Sequence, residues 1–214
     1  MCGRFAQVYD DTALKEKFRL EDVSERIQPK FNMSPGMKVN AIMESGNKLE
    51  LKTVMWGFSS LHGKPLPSLI FNSRLDTITS TSHLGQYLIK HRCIIPVTGF
   101  YEWSGKQPYF IRFGGNEIMC LAGVFSHDDE EFKCSVATTD AEGVIKNIHH
   151  RMPLILPDRM SVLWLKEGLK GSDLVLEVSK INGGLDIFKV SSVVNSTDFE
   201  SEECVKIIEE NTLF

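Results

Sequence analysis

No stretch of this chain approaches the roughly 20 consecutive apolar residues that a bilayer-spanning helix requires. No basic segment followed by an apolar one stands near its start, so neither a membrane span nor a secretory leader is expected. Cysteine is scarce and carries no pairing pattern: Cys2, Cys93, Cys120, Cys134 and Cys204 make an odd number, widely spaced, with no C-x-x-C. That excludes the usual zinc and dithiol signatures. Cys93, Cys120 and Cys134 lie inside apolar runs and read as core thiols of a reducing compartment, the cytoplasm or, in a eukaryote, the nucleus. Repeats, low-complexity linkers and shifts of composition are also missing. With 214 residues and 42% hydrophobic content, the chain has material for one substantial core, and a single domain over 1–214 is expected.

An excess of positive charge is absent too, since the formal net charge is −4. The sum conceals an asymmetry. Residues 1–112 carry 15 Lys and Arg against 10 Asp and Glu, a balance of +5, whereas residues 113–214 carry 9 against 18, a balance of −9. A basic first half permits phosphate binding without demonstrating it, because halves in sequence need not be halves in space.

Asp10-Asp11-Thr12 ahead of Ala13-Leu14 and Phe18 predicts an N-capped amphipathic helix. A proline-punctuated loop follows, in which Phe31 to Gly36 is turn chemistry with an apolar lining. Leu51 to Phe58 reads as a strand ending at Trp56-Gly57, Ser59 to Ser68 as an exposed loop, and Thr79 to Lys90 as a second helix. Beyond it, Cys93 to Val97, Gly99 to Trp103, Pro108 to Phe113, Ile118 to Phe125 and Phe132 to Thr138 are short apolar or aromatic runs that predict a meander of antiparallel strands. Ala141 to His149 reads as a short helix or turn, Met152 to Leu156 as a strand, Pro157 to Leu165 and Leu174 to Ser179 as helices, and Asp186 to Ser192 as a last strand. The stretch from Asp198 to Phe214 is expected to be an acidic helix or an exposed end. Runs of strands with helices set around them predict an α+β fold, a curled, mostly antiparallel, barrel-like sheet with flanking helices.

The residue that stands out chemically is Cys2. Methionine aminopeptidases remove Met1 when the second side chain is small, and the mature chain would then present an α-amine and a thiol on one residue. Such a 1,2-aminothiol can serve as an N-terminal nucleophile, or it can capture an aldehyde as an imine that the thiol closes to a thiazolidine. A buried cysteine acting as a small hydrophobe is the plainer alternative. In Gly99-Phe100-Tyr101-Glu102-Trp103 the strand period puts Phe100 and Glu102 on one face and Tyr101 and Trp103 on the other. Glu102 is thus a carboxylate on an aromatic strand, where desolvation would raise its pKa into a useful acid–base range, unless the strand is an edge and Glu102 faces water. Asn72 and Arg74 share a face if Phe71 to Asp76 is extended, offering donors to a phosphate. A solvated loop with an Arg74–Asp76 contact is the alternative. His149 and His150 are adjacent, not four apart, so a shared metal is not expected and one imidazole is the better acid–base candidate, with a surface His pair as the alternative.

Eight segments in order, Cys2-Gly3-Arg4-Phe5, Phe31-Asn32-Met33-Ser34-Pro35, Trp56-Gly57-Phe58, Asn72-Ser73-Arg74, Arg92-Cys93-Ile94-Ile95-Pro96, Gly99-Phe100-Tyr101-Glu102-Trp103, Gln107-Pro108-Tyr109 and His149-His150-Arg151-Met152-Pro153, resemble the motifs of the SOS-response-associated peptidase (SRAP) family. That family senses abasic sites in single-stranded DNA. The resemblance implies a covalent thiazolidine cross-link between Cys2 and the C1′ aldehyde of the opened sugar, with no metal or other cofactor. It also implies lyase-type side chemistry and self-processing peptidase activity. It assigns proton exchange at the Cys2 amine to Glu102, protonation of the sugar ring oxygen to His149, and a hydrogen bond to the linkage to Asn72. Arg4, Asn32, Pro35, His62, Arg74 and Thr138 become the DNA-facing residues. The expected partner is single-stranded DNA containing abasic sites, met by a monomer in the cytoplasm or on the nucleoid, or in the nucleus of a eukaryote.

Two departures accompany the resemblance. Ser60 and His62 stand where the family has Pro and a stacking Trp, and histidine is the weaker plate for a base. Asn72-Ser73-Arg74-Leu75-Asp76 stands for Asn-Ala-Arg-x-Glu, which keeps the charge. An N-terminal-nucleophile amidotransferase also matures to Cys-Gly, but its His-x-Arg-Trp and Asn-Gly-Asp type motifs are missing here. A cysteine peptidase would use the same Cys2, Glu102 and His149, and a pure binding module would survive Cys2→Ala.

Overall fold

The computed structural model describes residues 2–24, 26–61, 63–79, 83–128, 131–166 and 184–208. The described elements run β1 (Phe5–Gln7), α1 (Asp11–Phe18), β2 (Lys30–Met33), β3 (Lys38–Ser45), β4 (Lys48–Trp56), β5 (Phe58–Leu61), β6 (Lys64–Ile70), β7 (Asn72–Arg74), α2 (Leu75–Ile78), α3 (His83–Leu88) and β8 (Arg92–Val97). They continue with β9 (Gly99–Ser104), β10 (Gln107–Phe113), β11 (Met119–Asp128), β12 (Glu131–Asp140), β13 (Arg151–Pro153), β14 (Ile155–Leu156), α4 (Asp158–Leu165) and β15 (Leu185–Lys189). A 3₁₀ turn spans Gly143–Asn147, and two more, Ser192–Asn195 and Glu202–Val205, follow β15. This is the α+β, sheet-dominated architecture expected.

The strands form an eight-stranded sheet, a five-stranded sheet in the order β15-β10-β9-β1-β2, and a separate β5–β6 ribbon. The larger sheet follows the path β13-β12-β4-β3-β8-β11-β14, with β7 joined to β12. It curls until β11 and β12 also pair, from Gly123↔Val136 to Asp128↔Glu131. Around that curl β12 meets β4 at Lys133↔Met55 and Cys134↔Trp56, and β3 meets β8 at Ile42↔Ile94 alone, so the wall is curled without closing as a true barrel.

Period-two alternation sorts the side chains into three cores. Val39, Ala41 and Met43 of β3, Cys93, Ile95 and Val97 of β8, and Met119 and Leu121 of β11 point inward with Cys2, Phe5, Trp56 and Phe100. The alternate residues Ile42, Ile94, Cys120, Ala122 and Val124 face outward, under Leu14 and Phe18 of α1, Ile78 of α2, Leu88 of α3 and Trp164 of α4. The far face of the smaller sheet packs Ala6, Tyr101 and Phe110 on Val190, Val194 and Cys204. Helix α1 forms as its cap predicts: Asp10 accepts the Ala13 N–H at 3.0 Å, Leu14 and Phe18 bury one stripe, and Arg19 ends it in the left-handed region.

Several local expectations are corrected. The proline-punctuated loop contains β2 and the whole of β3, because Pro35-Gly36 is only the turn between them; Gly36 takes a φ of +89° and donates to the Trp56 carbonyl at 2.8 Å. Ser59 to Ser68 is no loop but most of the β5–β6 ribbon, where Pro65 and Pro67 are tolerated on strands that stand apart from the main sheets. Within Thr79 to Lys90 the helix described is α3, His83–Leu88, and a further short helix, α2, precedes that range. The run from β8 to β12 is not a meander, because β8 and β11 lie in the large sheet while β9 and β10 lie in the small one. Met152 to Leu156 divides into β13 and β14. The predicted helix Leu174 to Ser179 lies outside the described residues. The stretch after Asp198 forms a short 3₁₀ turn at Glu202–Val205, not an α-helix, as far as Ile208.

Candidate active site

Strand β1 sets the position of the amino-terminal residues. It pairs antiparallel with β9 at Phe5↔Phe100 and Ala6↔Gly99, and the Tyr101 N–H reaches back to the Arg4 carbonyl at 2.9 Å. That register carries the first residues along β9 towards Glu102. Cys2 is fully buried there, and its thiol is pushed far above the ordinary thiol range, first by burial and then by the charge of Glu102.

Glu102 is not on a water-facing edge. It lies on the same face of β9 as Phe100, is only 2% exposed, and burial raises its pKa while the positive charge of the chain's amino terminus pulls the other way. The same charge lowers the Cys2 thiol and the His149 imidazole, so all three groups share one electrostatic neighbourhood.

Strand β7 delivers Asn72. It runs parallel to β12, with Asn72 opposite Val136, Ser73 opposite Ala137 and Arg74 opposite Thr138. Ser73 turns inward onto Ser135 (Oγ···Oγ 2.9 Å), which leaves its neighbours on the other face. Asn72 Nδ2 donates to the Cys2 carbonyl at 2.8 Å, while its Oδ1 is buried with no hydrogen-bond partner among the described residues. The base of the site is aromatic: Trp56 stacks on Phe5 at 4.2 Å and donates Nε1–H to the Phe71 carbonyl at 3.0 Å. Gly57 follows with φ +122°, and a Cβ there would lie 2.6 Å from Leu69, so any other residue would push the ribbon away.

His149 comes from the opposite edge of β12, at the end of the 3₁₀ turn, where its N–H donates to the Ile145 carbonyl at 2.9 Å. Burial is the main cause of its lowered pKa. Its Nδ1 accepts from the Arg151 N–H at 3.0 Å and also lies 3.1 Å from the Arg151 carbonyl. The His150 ring stacks on it at 4.3 Å. Arg151 is the residue whose importance the sequence reading missed, although the motif contains it. Its guanidinium is buried and donates to Asp140 Oδ1 at 2.6 Å and to the carbonyl and Oγ1 of Thr138 at 2.8 and 3.1 Å.

The remaining named residues are distributed differently. Arg74 is exposed at the start of α2 and pairs with Asp76 at 3.1 Å, the contact weighed as its alternative role. Thr138 is fully buried beneath Arg151. Pro35 is half-buried in the β2–β3 turn. Arg4 and Asn32 point into the protein: Arg4 Nη1 donates to Asn32 Oδ1 at 2.6 Å and to the Val194 carbonyl at 2.7 Å, with Trp103 over the guanidinium. Asn32 Nδ2 donates to the Ser196 and Phe199 carbonyls at 2.8 and 2.7 Å. In this arrangement both tie β1 and β2 to the segment after β15 instead of facing a phosphate. His62 lies outside the described residues. Among the described residues no three His, Cys, Asp or Glu side chains group as a metal site. A cavity of about 710 Å³ lies elsewhere, between α1 and the β3–β4 hairpin, lined by Lys17, Arg19, Lys48 and Val162 among others, and it includes none of the residues above.

The arrangement defines a class of site: an amino-terminal thiol with a buried carboxyl beside it, an amide on its carbonyl, and an imidazole in the same electrostatic field. The SOS response associated peptidase (SRAP) family model matches residues 1–197, and the chain belongs to that family. Relatives include the abasic site processing proteins YoaM of Bacillus subtilis (28% identical, covering 95% of this chain and 96% of that one) and YedK of Escherichia coli (29%, covering 81% and 83%). Among solved structures, a protein from Bacteroides thetaiotaomicron superposes with a TM-score of 0.77 at 20% identity, over 97% of this chain and 100% of that one. A phage-related protein of Bordetella bronchiseptica gives 0.71 at 23%, over 88% and 94%.

Proposed function

We propose that this protein processes abasic sites in single-stranded DNA, capturing the lesion covalently through Cys2 after Met1 is removed. The observation that carries the reading is the Cys2 carbonyl held by Asn72 at 2.8 Å next to a buried Glu102. The names of the relatives support the substrate. The Cys2 amine adds to the C1′ aldehyde and expels water to give an imine. The imine keeps one proton of the original ammonium group, and the sulfur bonds to C1′ as the thiol proton passes to a base and the C=N electron pair returns to nitrogen, closing the thiazolidine with a neutral ring N–H. Because burial keeps the thiol protonated, a base must take that proton. Glu102 is the neighbouring carboxyl, and it returns the proton when the ring reopens. His149 protonates the ring oxygen of the closed sugar and so generates the aldehyde. Asn72 steadies Cys2, and Arg74, the exposed cation beside the site, holds a flanking phosphate. Strand-breaking lyase activity and self-removal of Met1 would draw on the same three groups. The protein is expected to act as a monomer.

The test is a denaturing gel of protein mixed with a single-stranded oligonucleotide bearing one abasic site, beside undamaged and duplex controls, with the intact mass of any adduct. A heat-resistant band that needs Cys2 and the lesion, with a mass lacking Met1 and one water, is the expected result. No band from protein confirmed to have lost Met1 would sink the cross-linking assignment and favour the peptidase reading.

A further inference from the structure

We infer that Arg151 is a positioning residue for His149, whose backbone peptide holds the imidazole by Nδ1 in both of its protonation states. The inference rests on the acid role just proposed for His149. A ring nitrogen carries either a lone pair or a proton, and therefore cannot at one moment accept from the Arg151 N–H at 3.0 Å and donate to the Arg151 carbonyl at 3.1 Å. The two contacts belong to two states. In the neutral ring Nδ1 accepts from the N–H, which places the ring proton on Nε2. In the imidazolium Nδ1–H donates to the carbonyl, and Nε2 keeps its own proton for transfer. When Nε2 gives that proton up, the ring is left as the Nδ1–H tautomer, still held by the carbonyl, and it regains the resting Nε2–H form by taking a proton at Nε2 from solvent and losing the one on Nδ1. No step of the cycle leaves Nδ1 without a partner, so Nε2 is the nitrogen that exchanges protons with the substrate.

Such a cradle works only if the peptide cannot swing, and the Arg151 side chain is what fixes it. Its three donor contacts, to Asp140 Oδ1 and to both oxygens of Thr138, all end on β12. The main chain adds Asp140↔Arg151 pairing and the Ala141 N–H to His150 carbonyl bond at 2.9 Å. Charged groups near the ring are the amino terminus and the stacked His150, which in turn bears on Glu102. All belong to segments other than β12, so a change at Asp140 tests the clamp without removing any of them.

The experiment uses the full chain lacking Met1, uniformly nitrogen-15 labelled, as wild type, Asp140→Asn and Arg151→Lys. In wild type above the His149 midpoint, a nitrogen–nitrogen coupling should appear across the Arg151 N–H···Nδ1 bond. Below the midpoint that coupling should vanish and a slowly exchanging Nδ1–H should replace it. Asp140 is 86% exposed at its side chain, so Asp140→Asn should fold, and it should raise Nδ1–H exchange about fivefold or more, the effect of weakening one charge-assisted bond. With abasic single-stranded DNA, Asp140→Asn should slow capture by a similar factor while affinity for undamaged strand stays the same. Absence of the coupling, or an Arg151 amide blind to the His149 titration, would overturn the inference. Equal Nδ1–H exchange in wild type and in both variants would overturn the clamp. The magnetic resonance arm needs no DNA, so it stands even if the abasic-site reading fails.

Discussion

Replacing Glu102 by Gln should slow capture and at the same time stabilise the protein, because one burial causes both effects. Glutamine keeps the shape and removes the titrating proton. General acid–base groups contribute about 10²- to 10⁴-fold, and the lower end applies here because the Cys2 amine can partly serve as its own base. A loss of roughly a hundredfold in single-turnover cross-linking, about 2.7 kcal/mol of transition-state stabilisation, is therefore expected, with reversal slowed as well. The stability effect has the opposite sign. A carboxyl 2% exposed, with its pKa raised by burial, holds a proton in the folded state that the unfolded chain has already released. Stability is then fullest below the ordinary carboxylate value and is lost as pH rises from there through the raised folded value. Glu102→Gln removes that loss, so its Tm should exceed wild type at pH 8 and converge on it near pH 4. Quenched gels across pH 5–9 and thermal melts across pH 4–8 give both quantities. Unchanged capture would remove the acid–base role, and a lower Tm at pH 8 would refute the burial argument.

Asn72→Ala removes the donor that holds the Cys2 carbonyl at 2.8 Å; at about 1 kcal/mol for such a bond, capture should slow roughly five- to tenfold, read in the same quenched assay. Arg74→Glu reverses an exposed charge whose recorded partner is Asp76. Fluorescence titration should show weaker single-strand binding with a salt slope smaller by about 1, and a Tm close to wild type. Trp56→Ala deletes a fully buried ring stacked on Phe5 and one of the two donors to the Phe71 carbonyl, which keeps the Val136 N–H at 3.0 Å; the lost ring should cost about 3–5 kcal/mol in urea unfolding.

What the sequence made legible was local. The two-residue period of Gly99 to Trp103 placed Glu102 with Phe100, and the structure keeps that alternation, with Phe100 in the inner core and Tyr101 on the far face. Asp10 announced α1 because a cap acts within one turn. The misreadings are of a different kind. Pro35-Gly36 shows its turn in the sequence, but the strands β2 and β3 that it joins read there as loop, and only their partner strands reveal them. β8 and β9 are separated by Thr98 alone yet enter different sheets, and no periodicity encodes that switch. Arg4 and Asn32 looked like donors for a ligand because their acceptors, Val194, Ser196 and Phe199, lie more than 160 residues downstream. Arg151 was overlooked because a motif shows that a guanidinium is present and not which carbonyls it meets.

The site's electrostatics suit the reversible capture proposed above. With Met1 in place, the amino-terminal charge opposes the burial that raises Glu102, which keeps the carboxyl nearer to its ionised, proton-accepting form. Removal of Met1 brings that charge onto the residue whose carbonyl Asn72 holds. Under the proposed chemistry the protonated amine becomes a protonated imine and then a neutral ring nitrogen of much lower basicity, so the opposing charge disappears as the sulfur bond forms. Burial then acts on Glu102 without opposition, and the carboxyl takes up the proton released by the thiol. The same event that completes the cross-link thus leaves Glu102 as a protonated acid beside the ring nitrogen, which is the state needed to reopen it. A solvent-exposed carboxylate would lack this coupling, because water would screen it from the loss of the neighbouring charge. On the proposed chemistry the covered face of β9 is where such a carboxyl has to sit, at a cost in stability that grows as the pH rises.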